Sequence, residues 1–185
     1  MWPHLQAFDE SLFRTINVGW ASSSLDSVMS VLSDKYTWLV IGLVLGLLVL
    51  LRFRARLKSV LPVLVISLAV TDSVTYQLLK PAFGRIRPCK QLTEIHLVPE
   101  YCGSDHGFPS NHAANGMAIT TVLAFLWSKP AAVTALVLTF VVGLSRVYLG
   151  VHFPGDVIGG YLVGALISTS VVYLYRFFRK RRTAG

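Results

Sequence analysis

VLPVLVISLAVTDSVTYQLL, residues 60–79, runs directly into KPAFGRIRP, residues 80–88. The first string has the roughly 20 residues a helix needs to cross a hydrocarbon layer of about 30 Å, and its one charged side chain is Asp72. The second sets Lys80, Arg85 and Arg87 at the end of that apolar run. A charge beside a membrane segment is costly unless it has a task. The same arrangement recurs along the chain. Further apolar stretches cover residues 36–51, 113–127, 131–149 and 157–178, and polar clusters sit between them.

The composition supports a membrane reading. Of 185 residues, 54% are hydrophobic and 14% charged, against about 25% charged in a typical soluble domain. The net charge is +8, yet the cations lie between apolar runs and form no exposed basic stripe, which argues against nucleic-acid binding. The expectation is an all-α polytopic transmembrane helix bundle of about five spans, folded as one membrane-embedded domain over residues 1–185. The stretches 36–51 and 113–127 are short for a crossing. No cleavable signal peptide is visible in the first 35 residues.

Those residues, 1–35, read as a pair of amphipathic helices. Leu5, Phe8, Leu12, Phe13 and Ile16 share one face, with Gln6, Asp9, Glu10 and Arg14 elsewhere. Leu25, Val28, Met29 and Leu32 repeat the pattern after an expected cap at Ser24. Lying in the membrane interface with Trp2 and Trp20 as anchors, or packing on the bundle, both fit.

Ten cations fall on one side of the expected topology: Arg52, Arg54, Arg56, Lys58, Lys129, Arg176, Arg179, Lys180, Arg181 and Arg182. The positive-inside rule makes that side cytoplasmic, with the C-terminus on it, in an inner, cytoplasmic membrane. Alternating helices then bring three clusters to the opposite, outer face. These are Lys80 with Arg87-Pro88, Pro109-Ser110-Asn111-His112, and Ser145-Arg146 with His152 and Asp156. Cys89 and Cys102 share the long outer loop. In an oxidising compartment they form a disulfide; two free thiols are the other reading. Their spacing is not that of a four-ligand zinc site.

The clusters suit the transfer of a phosphoryl group. Lys80, Arg87 and Arg146 supply fixed positive charge for phosphate oxygens. Ser110 and Asn111 precede a helix start, where backbone N–H groups bind anions; simple capping is the plainer role for either. His152 and Asp156 are four apart, so the carboxylate holds one imidazole nitrogen and leaves the other free to attack phosphorus. Pro154 and Gly155 between them argue for a turn leading into the last helix. Asp72, Tyr76 and Lys80 share a helical face if the helix is regular. That points Asp72 toward a substrate groove, a site cation or a neighbouring hydroxyl. Arg85 and Lys90 read as headgroup or snorkelling cations, and Glu94, His96, Glu100, Asp105 and His106 as a solvated loop.

Taken together, residues 80–156 resemble the type 2 phosphatidic acid phosphatase superfamily, whose signature is K-x6-RP, PSGH and SR-x5-H-x3-D. The first and third motifs are matched in full, and Asn111 stands where the family has Gly. The resemblance implies a metal-independent, cofactor-free phosphatase working through a phosphohistidine. His152 is its expected nucleophile, oriented by Asp156, and His112 the acid for the leaving oxygen. Lys80, Arg87, Ser110, the Asn111 backbone and Arg146 are the expected phosphate ligands. The expected partner is a lipid phosphate within membrane lipids, with no obligate protein partner. Undecaprenyl diphosphate comes first, followed by lipid A 1-phosphate, phosphatidylglycerol phosphate and phosphatidic acid. A non-enzymatic lipid-phosphate binder or transporter would have no need of His152 with Asp156. A metal hydrolase built on His96, His106, His112 and His152 lacks a ligand motif such as HExxH. The vanadium haloperoxidases share the phosphate-site pattern, but membrane spans argue against that role.

Overall fold

Runs of Leu, Val and Ile with few breaking residues make helices here, and polar caps decide where they start. The computed structural model describes residues 3–98 and 102–184. The order is α1 (Pro3–Asn17), α2 (Ser23–Ser33), α3 (Lys35–Ser73), α4 (Lys80–Phe83), α5 (Pro88–Gln91), α6 (Asn111–Leu126), α7 (Lys129–Tyr148) and α8 (Pro154–Ala184). Residues Val74–Leu79 join α3 to α4 as a π-helical segment. Asp34 caps α3 by accepting the Thr37 N–H at 2.7 Å. Helix α2 starts on Ser22 rather than the expected Ser24, because the Ser22 hydroxyl is the oxygen placed to take the Leu25 N–H.

Among the described residues, three helical stretches are long and apolar enough to cross a membrane: Lys35–Phe83, Lys129–Tyr148 and Pro154–Arg181. The first is bent at Phe53, whose φ of −133° and ψ of 36° are not helical. Its two arms run in opposite directions. The arm begins beside Ser33, which takes a hydrogen bond from Arg146 near the end of α7. Phe53 packs its ring on Trp127 just past α6, and Arg56 binds the Trp127 carbonyl. The second arm then returns to Lys80, which meets the loop that precedes α6. The first arm, residues 35–52, carries no buried residue, and Leu39, Val40, Leu43 and Leu47 are exposed, as suits contact with lipid.

Helix α6 has 16 residues, short of the roughly 20 that a perpendicular crossing needs. It lies among α3, α7 and α8. Small residues allow this. A Cβ on Gly160 would come within 2.5 Å of the Ser110 carbonyl oxygen, and one on Gly164 within 2.1 Å of that of Ala114. The backbones of α6 and α8 therefore touch, the small-residue packing by which membrane helices associate. Ala113, Ala114 and Ala118 are fully buried.

The N-terminal helices are tied to one end of the bundle. Phe13 of α1 packs with Ala113, Val147, Phe153 and Val157, and Met29 of α2 with Tyr148, Leu149 and Val151. Burying a side chain such as Phe13 stabilises by about 1.5–3 kcal/mol. Leu5, Phe8 and Val28 stay exposed, so the apolar face of the pair is divided between the bundle and the outside. Trp20 is exposed; Trp2 lies outside the described residues. Asp9, expected on the polar face, is buried.

Candidate active site

Lys80 is carried inward by the π-helical segment. Its N–H reaches back to the Thr75 carbonyl, five residues away rather than four. This wider turn breaks the expected common face of Asp72, Tyr76 and Lys80. Lys80 joins the buried row of Ser67, Thr71 and Thr75, while Tyr76 is 56% exposed. The Lys80 ammonium donates to the carbonyls of His106 and Gly107, both at 3.2 Å. π-Helical turns of this kind frequently mark functional sites.

The loop after α4 is held by the bond between Cys89 and Cys102, whose Cα atoms are 6.2 Å apart. Arg87 is buried beneath it. Its Nε donates to the Ser104 carbonyl at 2.6 Å and its Nη1 to that of Val151 at 2.9 Å. The same Nη1 lies 3.0 Å from His152 Nε2. Guanidinium only donates, so Nε2 must accept. The imidazole proton then sits on Nδ1, which donates to Asp156 Oδ2 at 3.3 Å. The hydrogen bonds thus assign a neutral imidazole with a lone pair on Nε2.

The SR-x5-H spacing is set by the way α7 ends. Gly150 has φ of +82°, a left-handed conformation that glycine adopts without cost at a helix C-terminus. The turn lets the N–H groups of Val151 and His152 both bond the Arg146 carbonyl at 3.2 Å. His152 is thereby folded back beside the arginine six residues before it. Arg146 Nη1 is held by Ser33, whereas its Nε is buried and makes no hydrogen bond among the described residues. Helix α8 begins at Pro154, so Asp156 lies in its first turn and also accepts the Phe153 N–H at 3.0 Å.

Ser110 occupies the N-cap position of α6, yet its hydroxyl makes no capping bond. It is fully buried and, among the described residues, without a partner. Its N–H binds the Asp156 carbonyl at 2.9 Å, which fixes the start of α6 against α8. The first bond within α6 is made by the Ala114 N–H to Ser110, so the preceding N–H groups are available for an anion. His112 follows within that turn, near enough for its charge to act on His152. Burial first, then the charges of Arg87, Arg146, Lys80 and His112, push the His152 imidazole well below its ordinary pKa of 6.5.

All the residues of the three sequence clusters thus converge on one end of the bundle, and residues 59–181 match the PAP2 superfamily. The chain belongs to the PAP2 superfamily. It is 30% identical to a lipid A 4′-phosphatase of Porphyromonas gingivalis over 94% of this chain and 75% of that one. An undecaprenyl-diphosphatase of Sulfolobus acidocaldarius is also 30% identical, over 87% of this chain and 75% of its own. The crystal structure of the first transmembrane PAP2 type phosphatidylglycerolphosphate phosphatase from Bacillus subtilis shares the fold. Its TM-score is 0.73 at 23% identity, covering 97% of this chain and 88% of that one. The protein is a membrane lipid phosphatase of the PAP2 type.

Several contacts of this PAP2 site depart from the sequence reading. Arg85, read as a headgroup or snorkelling cation, bridges two acids. It donates to Asp156 Oδ1 at 2.8 Å and to Asp9 Oδ2 at 2.5 Å, with its guanidinium 4.4 Å over the Phe153 ring. Asp9 in turn accepts the Gly155 N–H at 2.7 Å, so α1 caps α8 from outside. Lys90 pairs with Asp105. His96 reaches Asp26 at 2.7 Å, an acid that Tyr148 also engages at 2.6 Å. Among the described residues, Asp72 accepts the side-chain amides of Asn111 and Asn115, and its charge acts on Lys80 without a direct bond. Glu100 lies outside the described residues.

Proposed function

We propose that this PAP2 phosphatase removes a phosphate from a lipid headgroup through a phosphohistidine on His152. The hydrogen-bonded imidazole carries the reading: Asp156 accepts a hydrogen bond from Nδ1–H, which leaves the Nε2 lone pair as the nucleophile. Arg146 Nε and the Ser110 hydroxyl are buried donors without partners, suited to phosphate oxygens. With Lys80, Arg87 and the first turn of α6 they stabilise charge on the transferring group.

In the first step Nε2 attacks phosphorus, a P–N bond forms and the P–O bond to the lipid breaks. His112 gives its proton to the leaving oxygen. In the second step water attacks phosphorus, His112 takes the proton from that water, and the P–N bond breaks to release phosphate. The residues act without a metal ion in this scheme. Arg52, Arg56, Arg176 and their neighbours lie at the other end of the bundle, where Arg56 and Arg176 hold carbonyls of Trp127 and Phe125. By the positive-inside rule that end and the C-terminus are cytoplasmic, and the reaction faces outward from an inner membrane.

Undecaprenyl diphosphate is the first substrate proposed, because compact members of the superfamily resembled here serve its recycling. Lipid A phosphates are the second, favoured by the likeness to the lipid A 4′-phosphatase over 94% of the chain. Phosphate release by purified protein in EDTA, across undecaprenyl diphosphate, lipid A, phosphatidylglycerol phosphate and phosphatidic acid, tests the proposal. Turnover on one or more lipids is expected, with none from His152→Ala. Activity confined to soluble phosphates, or requiring an added metal, would overturn it.

A further inference from the structure

Asn111 is the one place where the phosphate-binding motifs of this chain depart from the family pattern, and its side chain is not idle. Asn111 Nδ2 donates to Asp72 Oδ1 at 2.9 Å, and Asn115 Nδ2 donates to the same oxygen at 3.0 Å. Asn111 and Asn115 are one turn apart on α6, so both amides face the same point on α3. Neither amide oxygen has a partner. A carboxylate at membrane depth is expensive; these two donors, with the nearby charge of Lys80, are set against that cost.

We propose that Asp72 is a positioning residue for the phosphate-binding turn. Where the family has Gly, no side chain needs a place. Asn111 brings four side-chain heavy atoms into the turn that holds Ser110, His112 and the free N–H groups. Asp72 draws the Asn111 amide toward α3 and holds Asn115 below it. The first turn of α6 is thereby fixed from the α3 side, as the Ser110 N–H fixes it from the α8 side. The carboxylate touches neither phosphate nor the reacting atoms; it acts through Asn111. This inference rests on the phosphate site proposed above.

The test compares native protein, Asp72→Ala, Asp72→Asn, Asn111→Gly and the double variant Asn111→Gly/Asp72→Ala, purified in detergent. Orthovanadate affinity reports phosphate binding, and kcat and KM on a lipid phosphate report catalysis. Loss of the clamp in Asp72→Ala is expected to weaken orthovanadate about tenfold, the scale of one lost hydrogen bond to a charged group. Asp72→Asn keeps an acceptor and adds a donor for the unpartnered amide oxygens, so it retains most of the affinity. In the Asn111→Gly background, Asp72→Ala is expected to change affinity by no more than about twofold, since the side chain it positions is gone. Equal losses in both backgrounds, or no loss in the native one, would overturn the role of Asp72. If Asp72→Ala does not fold, Asn111→Asp carries the comparison. It sets two carboxylates together and must lose affinity that Asp72→Asn restores; no restoration overturns the proposal. Native protein that fails to bind orthovanadate would instead remove the phosphate site on which the proposal stands.

Discussion

His152 shows how much one side chain depends on its neighbours. Arg87 and Asp156 select its tautomer from opposite sides of the ring, and burial among cations keeps it neutral. A neutral imidazole is what an attack on phosphorus requires, so in the proposed mechanism the cations assigned to the phosphate also keep His152 free of a second proton. The sign of the pH effect follows. In the unfolded chain the group returns to about 6.5, so below that pH the unfolded state binds more protons. Folded stability from this residue is therefore complete above about 6.5 and falls as the pH is lowered further. In 15N spectra of the protein without phosphate, His152 is expected to show the Nδ1–H tautomer from pH 8 to pH 6, with no titration. A midpoint at or above 6.5 would contradict this electrostatic account. The meeting of His152, His112, Lys80, Arg87 and Arg146 was legible from motif spacing, because each motif keeps its residues on one short local structure. Arg85 was not legible: nothing in sequence distinguishes a cation bound for an acid 71 residues away from one bound for a lipid headgroup.

At the scale of elements, the site is held by contacts between helix ends. Helix α1 is the least expected contributor. Its Asp9 reads as part of a polar face, yet it is buried, caps α8 at Gly155 and orients Arg85 toward Asp156. Asp9→Ala is expected to lower stability by about 1–3 kcal/mol through loss of charge-assisted bonds. It should also lower kcat more than it raises KM, because it loosens the acid that orients His152 rather than the phosphate ligands. Thermal unfolding in detergent with steady-state kinetics checks both; an unchanged kcat would leave α1 a packing element only. The π-helical turn at Val74–Leu79 is equally silent in sequence, since an i,i+4 pattern with one extra residue looks like a regular helix with misplaced polar groups. Thr71, Thr75 and Lys80 fit one buried face only once that extra residue is counted. The reversal at Phe53 was foreshadowed, because Arg52, Arg54, Arg56 and Lys58 interrupt two apolar runs.

For the whole molecule, the apolar runs and their polar borders gave the helical membrane class and the meeting of three distant clusters. Among the described residues, side-chain or backbone groups from every helix of more than ten residues meet at or brace that end of the bundle. Asp9 from α1, Ser33 from α2, Asp72 from α3, Ser110 at α6, Arg146 from α7 and Asp156 from α8 are the points of attachment. What stayed closed to sequence was the set of long-range partners, since hydrogen bonds between separate helices leave no periodic trace. The central claim is that this assembly transfers phosphate to His152 and then to water. The most direct measurement is rapid quenching of the native protein during turnover of a 32P-labelled lipid phosphate. The account predicts a protein-bound label that survives alkali, is lost in acid, maps to His152 and is absent from His152→Ala. Sustained turnover by His152→Ala, or a label on another residue, would contradict it.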